Sequence, residues 1–187
     1  MTANNIEEKE KKNKEIKKIV VMGLDNSGKT SIVLNLMDKV NLLNYLSLSP
    51  TVGVKTKDFH INNKVFNIWD LGGQKTYREN YLKDFDDFVQ SIDKLIYVID
   101  VQDIKRYPEA LNFFREVIER LEKRELYPEI SIYIHKYDPN LLEIQPKLNN
   151  GIINDLINNV KNMIPDNFFH DIYKTTIYTV FDKKYVI

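Results

Sequence analysis

Residues 16–30, IKKIVVMGLDNSGKT, hold the densest chemistry in the chain. Gly23 and Gly28 bracket four residues and are followed directly by Lys29 and Thr30. Two glycines at that spacing let a backbone curl with its N–H groups pointing inward, a cradle for phosphate oxygens. The Lys29 ammonium can reach the β- and γ-phosphates, and the Thr30 hydroxyl offers a hard oxygen to Mg²⁺. Ile19, Val20 and Val21 supply the strand that must precede such a loop. The helical pattern after it presents unpaired N–H groups and the positive end of a dipole to the anion. Asp25, Asn26, Ser27, Gly28, Lys29, Thr30 and Ser31 are therefore the expected phosphate-binding residues.

Other residues complete that chemistry. Asp70 closes a segment expected to pair beside the phosphate-loop strand, where a carboxylate holds Mg²⁺ through water; otherwise it caps a strand end. Thr51, in Pro50-Thr51-Val52-Gly53, is a second hydroxyl for the metal, or an ordinary loop threonine after a proline. The N–H of Gly73 can donate to a terminal phosphate oxygen, and Gln74 is then placed to orient a water for in-line attack. Together these imply Mg²⁺-dependent hydrolysis of a nucleoside triphosphate. His135-Lys136-Tyr137-Asp138 follows an apolar strand. There Asp138 can accept two hydrogen bonds from the ring N–H and exocyclic amine of guanine, and Lys136 can lay its stem along the base edge and the phosphate loop. The competing reading is a surface loop with a charge pair.

The elements that must position these groups follow from periodicity. A first helix, with Ile32, Val33, Leu36 and Met37, is expected to end near Val40. Val54 to Ile61 and Lys64 to Asp70 form a hairpin turning at Asn62-Asn63. A polar helical stretch, Thr76 to Gln90, precedes the strand Lys94 to Asp100. Pro108 opens a helix whose Leu111, Phe114, Val117, Ile118 and Leu121 recur at helical spacing and belong to the core. Strand Ile130 to Ile134, a helix over Ile152 to Ile164 and a last strand Ile172 to Ile177 complete the chain. Strands alternating with helices after one hairpin imply a mostly parallel sheet covered on both faces, with ligands at its carboxyl edge. Five of the six glycines sit at expected strand-end loops on that edge, Gly151 being the exception.

Bulk properties narrow the class. The 187 residues suffice for one well-buried domain, and residues 1–15, almost all polar, read as a charged tail outside a domain over 16–187. There are no cysteines, which excludes disulfides, thiolate metal sites and thiol nucleophiles. Lys plus Arg and Asp plus Glu number 27 each, so no net field directs the chain to nucleic acid or an anionic membrane. No apolar run approaches the roughly 20 residues that span a bilayer. Thr2 and the absence of cysteine leave no lipidation site of the myristoyl or prenyl kind. The expectation is a cytoplasmic protein that meets membranes only through partners. The three histidines are too scattered for a metal site.

On these residues the chain resembles a small GTPase of the Ras superfamily across 16–180. Gly-Leu-Asp-x-x-Gly-Lys-Thr at 23–30, Pro-Thr-x-Gly at 50–53 and Trp-Asp-x-Gly-Gly-Gln at 69–74 are similar to the Arf group. Glu79-Asn80-Tyr81, the strand 95–101, His135-Lys136-Tyr137-Asp138 and Thr175-Thr176-Ile177-Tyr178 are similar to the Rag group. With the heavy use of Asn, Lys and Ile, this mixture suits an early-branching or archaeal lineage.

The resemblance implies a three-layer α/β P-loop GTPase fold with one antiparallel hairpin strand. It implies Thr30 and Thr51 as Mg²⁺ ligands, Gln74 as the hydrolytic glutamine and Asp138 as the guanine reader. Thr175, Thr176 and Ile177 complete the base site, with the N–H of Thr176 facing the base oxygen and Ile177 against the ring. His135 stands where most small GTPases have Asn, and its imidazole N–H can donate to the purine instead. Ten residues follow Ile177, so the closing helix is expected to be short or truncated.

The leading expectation is a switch that binds GTP and GDP and hydrolyses GTP slowly, with mobile segments near Thr51 and Gln74. The alternative is a nucleotide-holding scaffold with negligible hydrolysis. A P-loop kinase using ATP would need a lid-like arginine cluster, which the sequence does not present. No arginine stands in the phosphate loop or just before Thr51. Fast turnover is thus expected to need an activating protein, worth roughly 10³ to 10⁵ in rate, alongside an exchange factor and effectors.

Overall fold

Apolar runs without alternation demand a sheet buried on both faces, and the chain builds one. In a computed structural model describing residues 15–37, 47–61 and 64–177, six strands form one sheet in the order β2-β3-β1-β4-β5-β6. The strands are β1 (Glu15–Gly23), β2 (Val54–Ile61), β3 (Lys64–Leu71), β4 (Lys94–Asp100), β5 (Glu129–His135) and β6 (His170–Lys174). Only the β2–β3 pair is antiparallel. The described helices are α1 (Lys29–Leu36), α2 (Lys75–Lys83), α3 (Phe85–Val89), α4 (Tyr107–Lys123), α5 (Leu141–Ile144) and α6 (Asn150–Lys161).

The two faces have separate cores. On one, Ile19, Val21, Ile68, Ile96 and Val98 pack against Ile32 and Val33 of α1. On the other, Val20, Met22, Leu95, Tyr97, Ile130 and Ile132 meet Phe113, Phe114, Val117 and Leu121 of α4 and Ile153, Leu156 and Val160 of α6. This is the expected three-layer arrangement. α4 starts with Pro108 in its first turn, and Tyr97 Oη donates to the Ala110 carbonyl at 2.7 Å, which seats the helix on β4. The N-terminus of α6 is capped by the Asn149 side chain, which accepts from the Ile152 N–H at 3.0 Å. β1 lies between β3 and β4, so the chain leaves it in one direction and returns on its other side, the topology that opens a crevice at the carboxyl edge.

Some elements differ from expectation. The stretch 76–90 is two helices, broken at Asp84 (φ −103°, ψ 42°). The break lets Phe85 and Val89 join Tyr81 in the core, at 1%, 1% and 4% exposure. Helix α6 ends at Lys161, before Met163 and Ile164, which pack on the core from the turn beyond it. β6 begins and ends earlier than expected. After Lys174 the Thr175 N–H still donates to the Ile134 carbonyl and the Thr175 carbonyl accepts from the Tyr137 N–H at 3.0 Å, while Lys136 between them, at φ +60°, breaks the extended backbone of β5. The expected tail over 1–14, the helix end near Val40, the hairpin turn at 62–63 and any closing helix over 178–187 lie outside the described residues.

Phe114 is fully buried and stacks at a tilt on Tyr97, 4.7 Å between ring centroids. Phe114→Ala should destabilise the fold by about 3–5 kcal/mol, read as a lower urea midpoint with an unchanged slope.

Candidate functional site

The sheet's carboxyl edge gathers residues that are far apart in sequence. β1 runs straight into the phosphate loop, and α1 leaves it from Gly28 with no side-chain cap and no acidic residue in its first turn. Its first N–H groups are therefore available to an anion. Lys29 is only 5% exposed and its Nζ donates to the Leu24 carbonyl at 2.6 Å, closing the loop on itself. Burial draws the Lys29 ammonium from 10.5 down to about 8, with Asp70 and Asp25 pulling the other way.

Three oxygen donors converge beside it. Thr30 Oγ1 donates to Asp70 Oδ2 at 2.6 Å and lies 2.9 Å from Thr51 Oγ1, which itself lies 3.3 Å from Asp70 Oδ2. Asp70 is 1% exposed, and its Oδ1 has no partner. Among the described residues the other buried side-chain atom left so is Ser27 Oγ, in the phosphate loop. A buried polar atom without a partner costs about 1–3 kcal/mol, and Asp70 Oδ1 bears that cost beside two hydroxyls, whereas Ser27 faces Val98 and Asp100 behind the loop. Hydroxyls with a carboxylate oxygen to spare suit a hard divalent cation such as Mg²⁺. No group of three or more His, Asp and Glu gathers among the described residues, so such an ion would draw further oxygens from water or phosphate.

The segments bearing Thr51 and Gln74 are tied together. The Gly72 N–H donates to the Gly53 carbonyl at 2.8 Å, and Tyr81 Oη donates to the same oxygen at 2.8 Å. Gly73 lies so close to the phosphate loop that a Cβ would fall 2.2 Å from Leu24 C and Asp25 N. A cleft of about 410 Å³ is lined by Asp25, Asn26, Gly28, Lys29, Thr30 and Ser31, by 48–51, and by Gln74 and Lys136. A second hollow of about 480 Å³ is lined by Tyr137, Asp138, Asn140 and Thr176, among others.

At that second hollow, Asp138 Oδ2 accepts from Gln102 Nε2 at 2.8 Å, and Oδ1 accepts from Thr176 Oγ1. Each oxygen keeps a lone pair for a further donor. His135 is 3% exposed, with Nδ1 2.9 Å from Thr175 Oγ1. Its opposite edge fills the space over Gly28, where a Cβ would lie 2.5 Å from Cδ2 and 2.7 Å from Nε2. The imidazole thus braces the phosphate loop from behind. Lys136 Nζ ion-pairs with Asp100 Oδ2 at 2.6 Å, and Ile177 packs against the cluster around Ile19 and Val21.

Four residues here escaped the motif reading. Gln102 bonds both Asp138 and the Lys136 carbonyl, the latter at 2.8 Å. Arg106 Nη2 donates to Asp25 Oδ1 at 2.6 Å, and Arg78 and Glu109 pair close by. Partial burial pushes the Asp25 carboxyl up, but the Arg106 hydrogen bond and charge outweigh it and hold it below the usual range. A signal existed. Arg78 lies one helical turn after Gln74, and the other three follow the carboxyl end of β4, the edge where ligands bind.

Comparison with known proteins points the same way. The Gtr1/RagA G protein conserved region matches residues 18–184. ADP-ribosylation factor-like protein alp41 of Schizosaccharomyces pombe is 34% identical over 122 residues, 65% of this chain and 60% of that protein. ADP-ribosylation factor-like protein 2 of Arabidopsis thaliana is 42% identical over 96 residues, 51% of this chain and 47% of that protein. The chain therefore spans 60% or less of the length of these relatives. In fold it is similar to the Arl6 BBS3 small GTPase from Trypanosoma brucei, solved with the bound nucleotide analogue GppNp. That likeness has a TM-score of 0.58 at 22% identity and covers 86% of this chain and 87% of that one.

Burial, then the neighbouring Lys136 charge, hold the His135 imidazole below its ordinary 6.5, against Asp100 and Asp138. The unfolded chain thus takes up a proton near that pH which the folded chain refuses, so stability is lost as pH falls below it. The melting temperature should drop further for the wild type than for His135→Asn between about pH 7 and about pH 5.5. Equal drops would remove His135 as the cause.

Proposed function

The chain belongs to the Gtr1/RagA G-protein family, among the small Arf-related GTPases of the Ras superfamily, and on that premise we propose that it is a guanine-nucleotide switch that binds GTP and GDP and hydrolyses GTP slowly. The observation that carries the reading is the meeting of Thr30, Thr51 and the half-satisfied Asp70 beside the phosphate loop. Residues 16–187 act as the single GTPase domain. Among the described residues no helix is long and apolar enough to cross a membrane.

The phosphate-loop amides and Lys29 hold the phosphates. Thr30, Thr51 and, through water, Asp70 would hold Mg²⁺, which would supply positive charge to offset the terminal phosphate oxygens. Gln74 orients the attacking water and the Gly73 N–H steadies the terminal phosphate. Asp138 accepts from the guanine N–H groups, with Gln102 and Thr176 fixing its two oxygens. Thr175, Thr176 and Ile177 line the base side, and Lys136 closes the cleft between base and phosphates. The bonds from Gly72 and Tyr81 to Gly53 join the two switch segments, so both respond when a terminal phosphate engages either one. An exchange factor, an activating protein and effectors are the partners this cycle requires.

The alternative is a scaffold that holds nucleotide with negligible hydrolysis, which His135 in the base loop motivates. Single-turnover hydrolysis separates the two. Gln74→Leu should leave GDP affinity within about twofold and slow phosphate release from bound GTP by about 10² or more; unchanged release would end its hydrolytic role. Asp138→Asn should shift preference from guanosine toward xanthosine nucleotides by about 10² or more, because the mutated amide presents a donor to the guanine N–H. Competition binding reads this directly, and unmoved selectivity would refute the base assignment.

A further inference from the structure

The carbonyl oxygen of Gly73 accepts two hydrogen bonds, from the Asp25 N–H at 3.0 Å and from Arg78 Nε at 2.9 Å. Arg78 is 7% exposed, and its Nη2 pairs with Glu109 Oε1. Glu109 Oε2 accepts from Arg106 Nε at 3.0 Å, and Arg106 returns to the start, with Nη2 on Asp25 Oδ1 at 2.6 Å and Nη1 on the Asp25 carbonyl at 3.3 Å. Phosphate loop, β3 exit, α2 and the head of α4 thus close one circuit.

We propose that this circuit aligns the Gly73–Gln74 peptide against the phosphate loop, making Arg106 and Arg78 positioning residues for hydrolysis. The inference rests on Gln74 being the hydrolytic glutamine. The Gly73 carbonyl and the Gln74 nitrogen share one rigid peptide plane, so two donors on the oxygen fix how Gln74 leaves the loop. Guanidinium groups are planar forks, and each here is held by two residues, Arg78 at two acceptors and Arg106 at three, which sets direction as well as distance. Glu109 stands between the two arginines, whose charges would otherwise repel. Partial burial pushes its carboxyl up, but both arginines together hold it below the usual range, so it stays ionised at neutral pH. It is carried on α4, which Tyr97 anchors to the sheet through Ala110. A reference point on a rigid element is what precise alignment requires.

The test uses the full chain with GTP and GDP, comparing wild type, Arg106→Gln and Arg106→Lys. Arg106→Gln should slow single-turnover release of phosphate from GTP by about tenfold or more while GDP affinity stays within about threefold. It should also speed amide exchange at residues 74–83 in the GDP complex without changing β5. Arg106→Lys, which keeps the charge, should recover part of the rate. In a Gln74→Leu background, Arg106→Gln should slow the reaction no further, an outcome that a general loss of stability would not give. The proposal is overturned if affinity falls as much as rate, if exchange rises across the sheet, or if the two substitutions act additively. Should the wild type bind GDP but release no phosphate, the hydrolytic reading of Gln74 fails with its own signature. Exchange at 74–83 then decides the alignment, and no change there on Arg106→Gln refutes it.

Discussion

In the parallel ladder between β1 and β3, Val21 lies opposite Asp70, and the geometry of the whole carboxyl edge depends on that register. It places the carboxylate at the level where β1 turns into the phosphate loop, within reach of Thr30 at the head of α1. Side chains alternate faces along a strand, so a slip of one residue would turn Asp70 to the far side and pair Thr30 with nothing. The register is held by burial on both faces. Ile19 and Val21 look toward α1, while Val20 and Met22 look toward the larger core beneath α4. Neither set can move without exposing apolar surface, at roughly 25 cal/mol per Å².

Among the described residues the same edge concentrates the buried charge. Lys29, Asp70, Arg78 and His135 are all buried. A buried charge is tolerated where partners replace water, and here they do: Leu24 for Lys29, Gly73 and Glu109 for Arg78, Thr175 for His135. Asp70 is satisfied on one oxygen only, and Ser27 not at all. The incompleteness is local and lies where phosphate and metal chemistry is expected. A cation that satisfied Asp70 Oδ1 would recover a cost the folded chain already bears.

Much of this was legible because it is local. The phosphate loop, Trp69-Asp70-Leu71-Gly72-Gly73-Gln74 and His135-Lys136-Tyr137-Asp138 are contiguous, and each stands at the end of an apolar run whose β character is plain. The sheet and its hairpin followed from alternating strand and helix patterns. The break at Asp84 did not, since a polar stretch with few apolar residues gives a weak period, and only the positions of the core pockets decide where it bends. The four-residue helix α5 is too short to carry a period at all. Arg78, Gln102, Arg106 and Glu109 read as ordinary polar positions apart from their nearness to Gln74 and to the end of β4, because in a linear sequence a polar residue facing solvent and one facing a phosphate loop look alike.

Residue types and short spacings set the kinds of atoms at the site and the local curvature that presents them. Spacing within eight residues constrains a loop through covalent geometry alone. Long-range packing sets which distant groups meet: Thr30 with Asp70, 40 residues apart, Asp138 with Gln102, 36 apart, and Asp25 with Arg106, 81 apart. Those meetings depend on strand order and on the seating of α4 against β4. Both are set by nondirectional burial summed over many side chains, and no short motif encodes that sum.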